Sequence, residues 1–310
     1  MPVYNSEKTI KSTVRSIQNQ DMIDIEIILV NDFANNETTI IIKELKKKDP
    51  RIQILNNKKN MGILYSRCIG TLEAKGRYIT SIDNDDIFCD NDVFDIIYKG
   101  TENNYFDIIS FKSFTNYSLN KYKEFHKTVK KDKNNPVIYQ PELGIYPAKR
   151  NHPLFQNNIL IWGKLIKIEI YKAAINLLGK ERYSTYLIWA EDTSIFFVIS
   201  SVAQSYKFID KFGLFHFFIR SSSGEALSKN GRMFGEIFLL EIIFDFSRKT
   251  YKKSAIYKLI EIKKLKFFTL LNKKIKNYFK TVIKKIMNCH YIKEKYKIKI
   301  RKLYKGSDLF

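Results

Sequence analysis

Three carboxylates stand within four consecutive residues at the end of an apolar, strand-like segment. Asp83, Asn84, Asp85 and Asp86 directly follow "RYITSI". Like charges this close repel, and burial raises their pKa values toward protonation. A divalent cation removes the conflict because its charge keeps the carboxylates ionised. Their hard oxygen atoms suit Mg²⁺ or Mn²⁺, although Asp and Asn are also common in solvated turns.

Further carboxylates follow other predicted elements. Asp32 stands two residues after the end of the strand-like "IEIILV". Glu191 and Asp192 are the first two residues of the helix-like "EDTSIFFVISSVA". The carboxyl ends of parallel strands share one edge of a sheet, so Asp32 and Asp83 should face the same crevice. Asp32 could instead only cap the next turn. A partly buried carboxylate can act as a general base, whereas a plain first-turn acid favours the helix dipole.

The elements that must position these groups alternate in type up to about residue 112, which predicts an α/β fold with a mostly parallel sheet flanked by helices. Apolar residues at helical spacing predict helices in "NSEKTIKSTVRSIQNQ", with Asn5 or Ser6 as N-cap, "NETTIIIKELKKK", "GILYSRCIGTLEAKG" and "DVFDIIYKG". Short apolar runs predict strands in "IEIILV", "RIQIL", "RYITSI" and "FDIISFKSF". Further along, "ILIWGKLIKIEIYKAAINLLG" predicts a strand and a helix, "EDTSIFFVISSVA" a helix, and "YKFID" and "FGLFHFFIR" two strands.

Residues 115–157 break this alternation. They are polar and irregular, with four prolines at Pro136, Pro141, Pro147 and Pro153. Long connections of this kind often carry binding function, so we interpret the segment as a loop or insertion over one edge of the domain.

Composition narrows the classes of partner. The net charge of +22 predicts attraction to nucleotides, nucleic acid, polyanions or anionic lipid, although the abundance of Lys, Asn and Ile could reflect an AT-rich genome. The three cysteines show no zinc or redox spacing, which favours free thiols in a reducing compartment and a cytoplasmic location. The four histidines are scattered, so we predict no zinc site and interpret His216 as a packing residue. Neither an uninterrupted apolar span nor a signal peptide is expected.

A basic helical extension is predicted after about residue 228. From Ile256 to Ile286 apolar residues recur at helical spacing, with lysines between them. Such basic amphipathic helices often lie on anionic membrane surfaces, which would make the protein peripheral on the cytoplasmic face of a membrane. The alternative is a helical hairpin packed on the preceding domain. Nucleic acid is not expected as a partner because no recognisable binding module accompanies the charge.

Five short motifs occur in a familiar order. They are "PVYN" at the start, "VND" at Val30 to Asp32, "NMGILYSRCIG" at Asn60 to Gly70, "GRYITSIDNDD" at Gly76 to Asp86, and "WAEDTSIFF" at Trp189 to Phe197. Each is weak alone, but together they resemble the inverting glycosyltransferases with the GT-A fold, which use nucleotide sugars and build surface polysaccharides. The resemblance covers about residues 1–223.

This resemblance implies roles for individual residues. Asp83 and Asp85 would form the "DxD" pair that reaches the ribose and the Mg²⁺ or Mn²⁺ on the diphosphate, with Asp85 as the main metal ligand. Asp192 would be the general base. The remaining roles are a nucleotide pocket of Pro2, Val3, Tyr4 and Asp32, a diphosphate contact by Arg220, and an acceptor side formed by Trp162, Lys164 and Glu191. For Arg67 two interpretations stay open, a solvated helix face or an ion pair with the "DND" loop.

The resemblance also shows one departure. The family has an apolar strand of about five residues before "PVYN", whereas only Met1 precedes it here, so we expect a truncated first strand, either through a misplaced start codon or through real loss. We therefore predict a GT-A domain at 1–227 and a basic extension at 228–310. The expected function is metal-dependent, inverting transfer of a sugar to a hydroxyl of a glycan or lipid-linked acceptor. The alternatives are an inactive scaffold with this fold and a polyanion-binding protein that acts through its basic tail.

Overall fold

The computed structural model describes residues 1–116, 160–187 and 189–217, together with Gly235, Phe238, Leu239, Glu241 and Ile242. Nearly all of the 115–157 segment, Arg220, the proposed boundary at 227/228 and the lysine-rich segment for which basic helices are predicted lie outside these residues.

The described part of the chain contains seven helices and eight strands, which alternate strictly only from β1 to β4. The strands are β1 (Pro2–Val3), β2 (Ile27–Asn31), β3 (Ile52–Asn56), β4 (Tyr78–Thr80), β5 (Ile87–Phe88), β6 (Ile108–Asn116), β7 (Lys164–Lys167) and β8 (Tyr206–Phe217). The helices are α1 (Ile10–Gln18), α2 (Asn36–Lys48), α3 (Ile63–Glu73), α4 (Val93–Lys99), α5 (Ile168–Leu178), α6 (Lys180–Tyr183) and α7 (Glu191–Val202). This arrangement confirms the predicted α/β class.

The strands divide between two sheets. The first is fully parallel, in the order β1-β2-β3, and the second has the order β4-β7-β6-β8-β5. In the second sheet only the β6–β8 pair is parallel, while β4–β7, β6–β7 and β5–β8 are antiparallel. The predicted parallel pairing therefore holds for the whole N-terminal sheet and for one pair of the second sheet. Strand β7 lies in the second sheet between β4 and β6, which both come much earlier in the chain.

The N-terminal helices form where the sequence pattern places them. Ile10, Val14 and Ile17 of α1 are buried on one face, as their spacing predicts. The helix starts later than expected, with Thr9 at the N-cap, because the turn before it is closed by the backbone N–H groups of Thr9 and Ile10 donating to the Ser6 carbonyl. Helix α2 is capped by the Asn35 side chain, whose oxygen accepts from the Thr38 N–H at 2.8 Å.

The last two predicted strands are one element. β8 runs from Tyr206 to Phe217 beside β6, and the pairing shifts register around Phe111 and Lys112. Gly213 lies at this irregular place, where an added Cβ would come within 2.5 Å of the Phe111 ring. A glycine is therefore needed for the two strands to approach, and it reads in the sequence as a strand break.

One hydrophobic core joins the helices to both sheets. It includes Val3 and Leu29 from the first sheet, and Ile109, Phe111 and Leu165 from the second. β1 has two residues and pairs in parallel with β2, through Pro2 opposite Val30 and Val3 opposite Asn31. Among the described residues, no helix has both the length and the apolar character that crossing a membrane would require.

Candidate functional site

Asp32 holds the start of α3 in place. It follows β2 and is almost fully buried, and its two carboxylate oxygens accept three hydrogen bonds from the 57–62 loop. The Asn57 amide and the Met61 N–H donate to Oδ1, each at 2.7 Å, and the Gly62 N–H donates to Oδ2 at 2.8 Å. Most of the acceptor capacity of Asp32 is thus taken up by protein groups, which makes it an anchor for the loop.

Arg67 is the centre of the carboxylate cluster. Its side chain is only 3% exposed. Its Nη2 donates to Asp83 Oδ1 at 2.5 Å, and its Nη1 donates to Glu191 Oε1 at 3.1 Å. The interpretation of Arg67 as an ion-pair partner of the "DND" loop is confirmed, and the same guanidinium also reaches the first turn of α7.

Asp86 and His216 form a second ion pair beneath the same loop. Asp86 is fully buried, and both of its oxygens lie 2.9 Å from His216 Nδ1. Asp86 also accepts from the Phe217 N–H at 3.1 Å. The His216 ring stacks on Trp162, with ring centroids 4.9 Å apart and planes inclined by 18°. The packing predicted for His216 is present, but it is accompanied by an ion pair that the sequence reading did not anticipate.

The carboxyl groups of this loop and the neighbouring His216 have pKa values shifted in different directions by their surroundings. Burial works against the ionised form of Asp83, but the Arg67 guanidinium outweighs it and holds the pKa of that carboxyl below its usual range. Burial, with the neighbouring Asp86 and Asp83, raises the pKa of Asp85 to about 7. Burial lowers the pKa of His216, but its bond to Asp86 dominates, so that the pKa stands raised at about 9. Burial raises the pKa of Asp86 to about 6, and its bond to His216 opposes that shift, so both members of the pair are charged above this pH and below about pH 9.

The residue that precedes the acidic pair of α7 has a strained backbone conformation. Ala190, the N-cap of α7, has a φ of 60°, in the left-handed region that a non-glycine residue rarely adopts. Glu191 is buried against Arg67, whereas Asp192 is half-buried and accepts from its own neighbour, the Thr193 N–H, at 2.7 Å. Burial and the charge of Asp192 raise the pKa of Glu191 to about 7, and burial also raises the pKa of Asp192.

Lys164 approaches the same helix from β7. It is fully buried, donates to the Leu160 carbonyl at 2.6 Å and lies over the Phe196 ring, 4.5 Å from its centroid. Phe196 is one helical turn after Asp192 on α7. Burial lowers the pKa of Lys164 to about 7, and the negative charge of Asp192 opposes that shift.

The N-terminal residues border an exposed aromatic surface. Pro2 and Val3 are buried in β1, while Tyr4 is 48% exposed. Tyr186, which the sequence reading did not single out, is 50% exposed and packs on Gly62, where an added Cβ would lie 3.2 Å from its Cδ2. Gly62 also has a φ of 89°, so this close approach to the α3 N-terminus requires glycine.

The carboxylate loop offers a donor set that fits a divalent cation. Asp83, Asp86 and His216 each place a ligand atom within 4.8 Å of the others, and Asp85 lies beside them. Hard carboxylate oxygens suit Mg²⁺ or Mn²⁺, and a cation would offset both burial and the repulsion from Asp86 and Asp83, which together raise the pKa of Asp85. Both oxygens of Asp86 are bonded to His216, whereas Arg67 binds only Oδ1 of Asp83, so Asp83 Oδ2 and the Asp85 carboxylate are the oxygens available for that ion. The pairing of Asp86 with His216 could not be predicted from the sequence because 130 residues separate them.

Comparison with known proteins extends these findings. Residues 1–163 match the model of glycosyl transferase family 2, which covers more than half of the chain. An uncharacterised glycosyltransferase of Methanocaldococcus jannaschii is 30% identical over 67% of this chain and 65% of its own length. A GalNAc(5)-diNAcBac-PP-undecaprenol beta-1,3-glucosyltransferase of Campylobacter jejuni is 30% identical over 33% of each chain. The chain thus spans less than two thirds of either relative.

A solved structure shares the fold. Residues 1–349 of TarS from S. aureus, in complex with UDP-GlcNAc, superpose with a TM-score of 0.58 and 17% identity, over 79% of this chain and 64% of that one. At this identity the likeness concerns the fold alone.

Proposed function

This chain belongs to glycosyl transferase family 2, and from that membership we propose that it transfers a sugar from a nucleotide-sugar donor to a hydroxyl group of a glycan or lipid-linked acceptor. The donor class is supported by the fold shared with TarS, which binds UDP-GlcNAc. The acceptor class is supported by the Campylobacter jejuni relative, whose name describes an undecaprenol-linked acceptor.

The observation that carries the proposal is the convergence of carboxylates from separate elements on one guanidinium. Arg67 on α3 contacts Asp83, which follows β4, and Glu191, which opens α7 beside Asp192. A sugar transfer that inverts the anomeric carbon needs a base on one face of the ring and charge stabilisation of the leaving diphosphate on the other. The cluster brings a donor-side loop and a candidate base together.

Between the two acidic residues of α7, the geometry favours Asp192 as the base. Glu191 is buried and bonded to Arg67, so its oxygen is engaged by the protein. Asp192 is only half-buried and outside that ion pair, and its raised pKa brings it closer to the range in which a carboxylate removes a proton efficiently. Asp192 would accept the proton of the acceptor hydroxyl as that oxygen attacks the anomeric carbon, and the nucleoside diphosphate would leave from the opposite face.

The donor side would hold its diphosphate through Asp83 and Asp85 with a divalent cation. When bound, Mg²⁺ or Mn²⁺ supplies positive charge that stabilises the leaving diphosphate. The chain's own residues orient that site: Arg67 keeps Asp83 ionised, and the Asp86–His216 pair fixes the loop from below. We assign the nucleoside itself to the surface bordered by Tyr4 and the α3 N-terminus.

The experiment is a screen of the full chain with nucleotide sugars that differ in base and sugar, with release of free nucleoside diphosphate as the readout. We expect release from at least one donor, loss of release on addition of EDTA, and recovery with excess Mg²⁺ or Mn²⁺. Asp85→Asn should weaken donor binding without unfolding the protein, whereas Asp24→Asn, at an exposed position, should behave as wild type. Absence of release from every donor would overturn the proposal, and release that resists EDTA would remove its metal requirement.

A further inference from the structure

Arg67 connects two parts of the site that are far apart in sequence. It lies in the second turn of α3, 16 residues before Asp83 and 124 residues before Glu191. Each terminal nitrogen of its guanidinium serves a different carboxylate, so that one side chain joins the loop after β4 to the first turn of α7. This use differs from the common arrangement in which both nitrogens bind a single carboxylate.

Within the described part of the chain, the Arg67 side chain makes no hydrogen bond other than those to Asp83 and Glu191. Its Nε is buried and has no hydrogen-bond partner there, so its polar contacts are those made with the two carboxylates. A planar fork fixes both the distance and the direction between two partners, whereas the compact ammonium of lysine sets only a charge. The residue type therefore matters to geometry as well as to charge balance.

Helix α3 also connects this bridge to the predicted nucleotide side. Its N-terminus is held by Asp32, which accepts from the Gly62 N–H, and its second turn carries Arg67. Asp83 belongs to the donor-side loop, and Glu191 is adjacent to Asp192. A shift of the Arg67 guanidinium would therefore change the position of Asp192 relative to the donor without removing any group that touches substrate.

We infer that Arg67 is a positioning residue that sets the separation between the donor-binding loop and the helix that carries the general base. This inference rests on the proposed function. Misplacement of reacting groups by about 1 Å can cost about 100-fold in rate. In Arg67→Lys the loss should fall on turnover, since this variant keeps the positive charge that holds the donor-side Asp83 ionised.

The experiment compares Arg67→Lys, Arg67→Met and the double variant Arg67→Met with Glu191→Gln, using the donor that wild type turns over best. The control is Arg51→Lys, which weakens an arginine–carboxylate pair outside the site, where Arg51 contacts both oxygens of Asp49. All variants are assayed at a temperature at which circular dichroism shows them folded. In Arg67→Lys we expect kcat to fall about 100-fold while the donor KM changes far less, and Arg51→Lys to keep the wild-type kcat.

The double variant separates positioning from folding. Arg67→Met leaves Asp83 and Glu191 without their partner, and Glu191→Gln removes the more deeply buried of these two charges, so thermal stability should recover part of the way toward wild type while kcat stays low. The inference is overturned if Arg67→Lys keeps the wild-type kcat, if Arg51→Lys loses as much, or if the double variant regains turnover. If wild type releases no nucleoside diphosphate from any donor, the proposed function fails and this inference fails with it.

Discussion

Glu191 and Asp192 are neighbours in sequence but occupy different environments. Glu191 is buried against the Arg67 guanidinium, and Asp192 is half-buried and bonded only to Thr193 among the contacts above. Two carboxylates this close do not titrate independently, so the proton that they hold near neutral pH belongs to the pair. Their different partners give a physical reason for assigning the base to Asp192 and a structural task to Glu191.

The first prediction at the residue scale concerns this base. Asp192→Asn keeps the size of the side chain and removes its basicity, so kcat should fall by about 10²–10⁴-fold, with little change in nucleotide affinity. Because burial raises the pKa of Asp192, turnover of wild type should increase with pH through a pKa above the usual aspartate range, and the Asn variant should lose this limb. Steady-state kinetics across pH with a fixed donor provide the measurement.

Glu191→Gln is the matched comparison for this prediction. It preserves a hydrogen-bonding oxygen for Arg67 and should be tolerated better than Asp192→Asn. Normal transfer by Asp192→Asn together with slow transfer by Glu191→Gln would mean that the base is the other carboxylate. Normal transfer by both would mean that neither residue of this pair is the base.

The sequence predicts individual site residues only where the groups that act together are neighbours in the chain. The crowded carboxylates at Asp83–Asp86 are visible because they are consecutive, and the family motifs order them. The Asp86–His216 pair is not visible, because a histidine in a β-strand looks the same whether it packs or pairs, and its partner lies 130 residues away. The partners of Arg67 are also remote in sequence, so its two interpretations could be distinguished only by its contacts in the structure.

At the scale of elements, local patterns predict segments better than they predict pairing. Helix α1 follows from its apolar spacing, although not from the expected cap, and helix α2 has a capping side chain in Asn35. The position of β7 between β4 and β6 does not, because strand pairing depends on partners that are remote in sequence. The division of β8 into two predicted strands shows the same limit, since Gly213 signals a break unless the close approach of Phe111 is known.

A prediction at this scale concerns the anchor between β2 and α3. Asp32→Asn replaces one of the accepting oxygens with an NH₂ group, which leaves a donor of the 57–62 loop without an acceptor in a buried place. The free energy of unfolding should fall by about 1–3 kcal/mol. Urea denaturation followed by circular dichroism measures this change, with Asp24→Asn as the exposed control.

The outcome also distinguishes two roles for Asp32. If its task is only to contact the nucleotide base, the Asn variant should lose donor affinity with unchanged stability. Loss of stability together with weaker binding would indicate that Asp32 acts on the nucleotide through the loop that it holds.

At the scale of the whole molecule, the candidate site does not account for the net charge of +22. The lysines of the predicted extension alternate with apolar residues at helical spacing between Ile256 and Ile286. An amphipathic pattern with this charge suits the surface of an anionic membrane, where each lysine contributes about 1 kcal/mol. A lipid-linked acceptor would place the substrate at that same surface, so the two proposals are consistent with each other.

The last prediction tests this surface attachment. The full chain should sediment with vesicles that contain phosphatidylserine and remain free in the presence of neutral phosphatidylcholine vesicles. Deletion of residues 251–310 should release it, and high salt should have the same effect because the attraction is screened. Charge-reversed lysines in the extension, at unchanged length, are the control for a purely steric effect of the deletion.

A full chain that does not bind anionic vesicles at low salt would exclude the surface role and favour packing of the extension on the preceding domain. Binding that survives high salt would instead assign the attachment to the apolar residues of the extension, since burial of apolar surface does not depend on the Debye length.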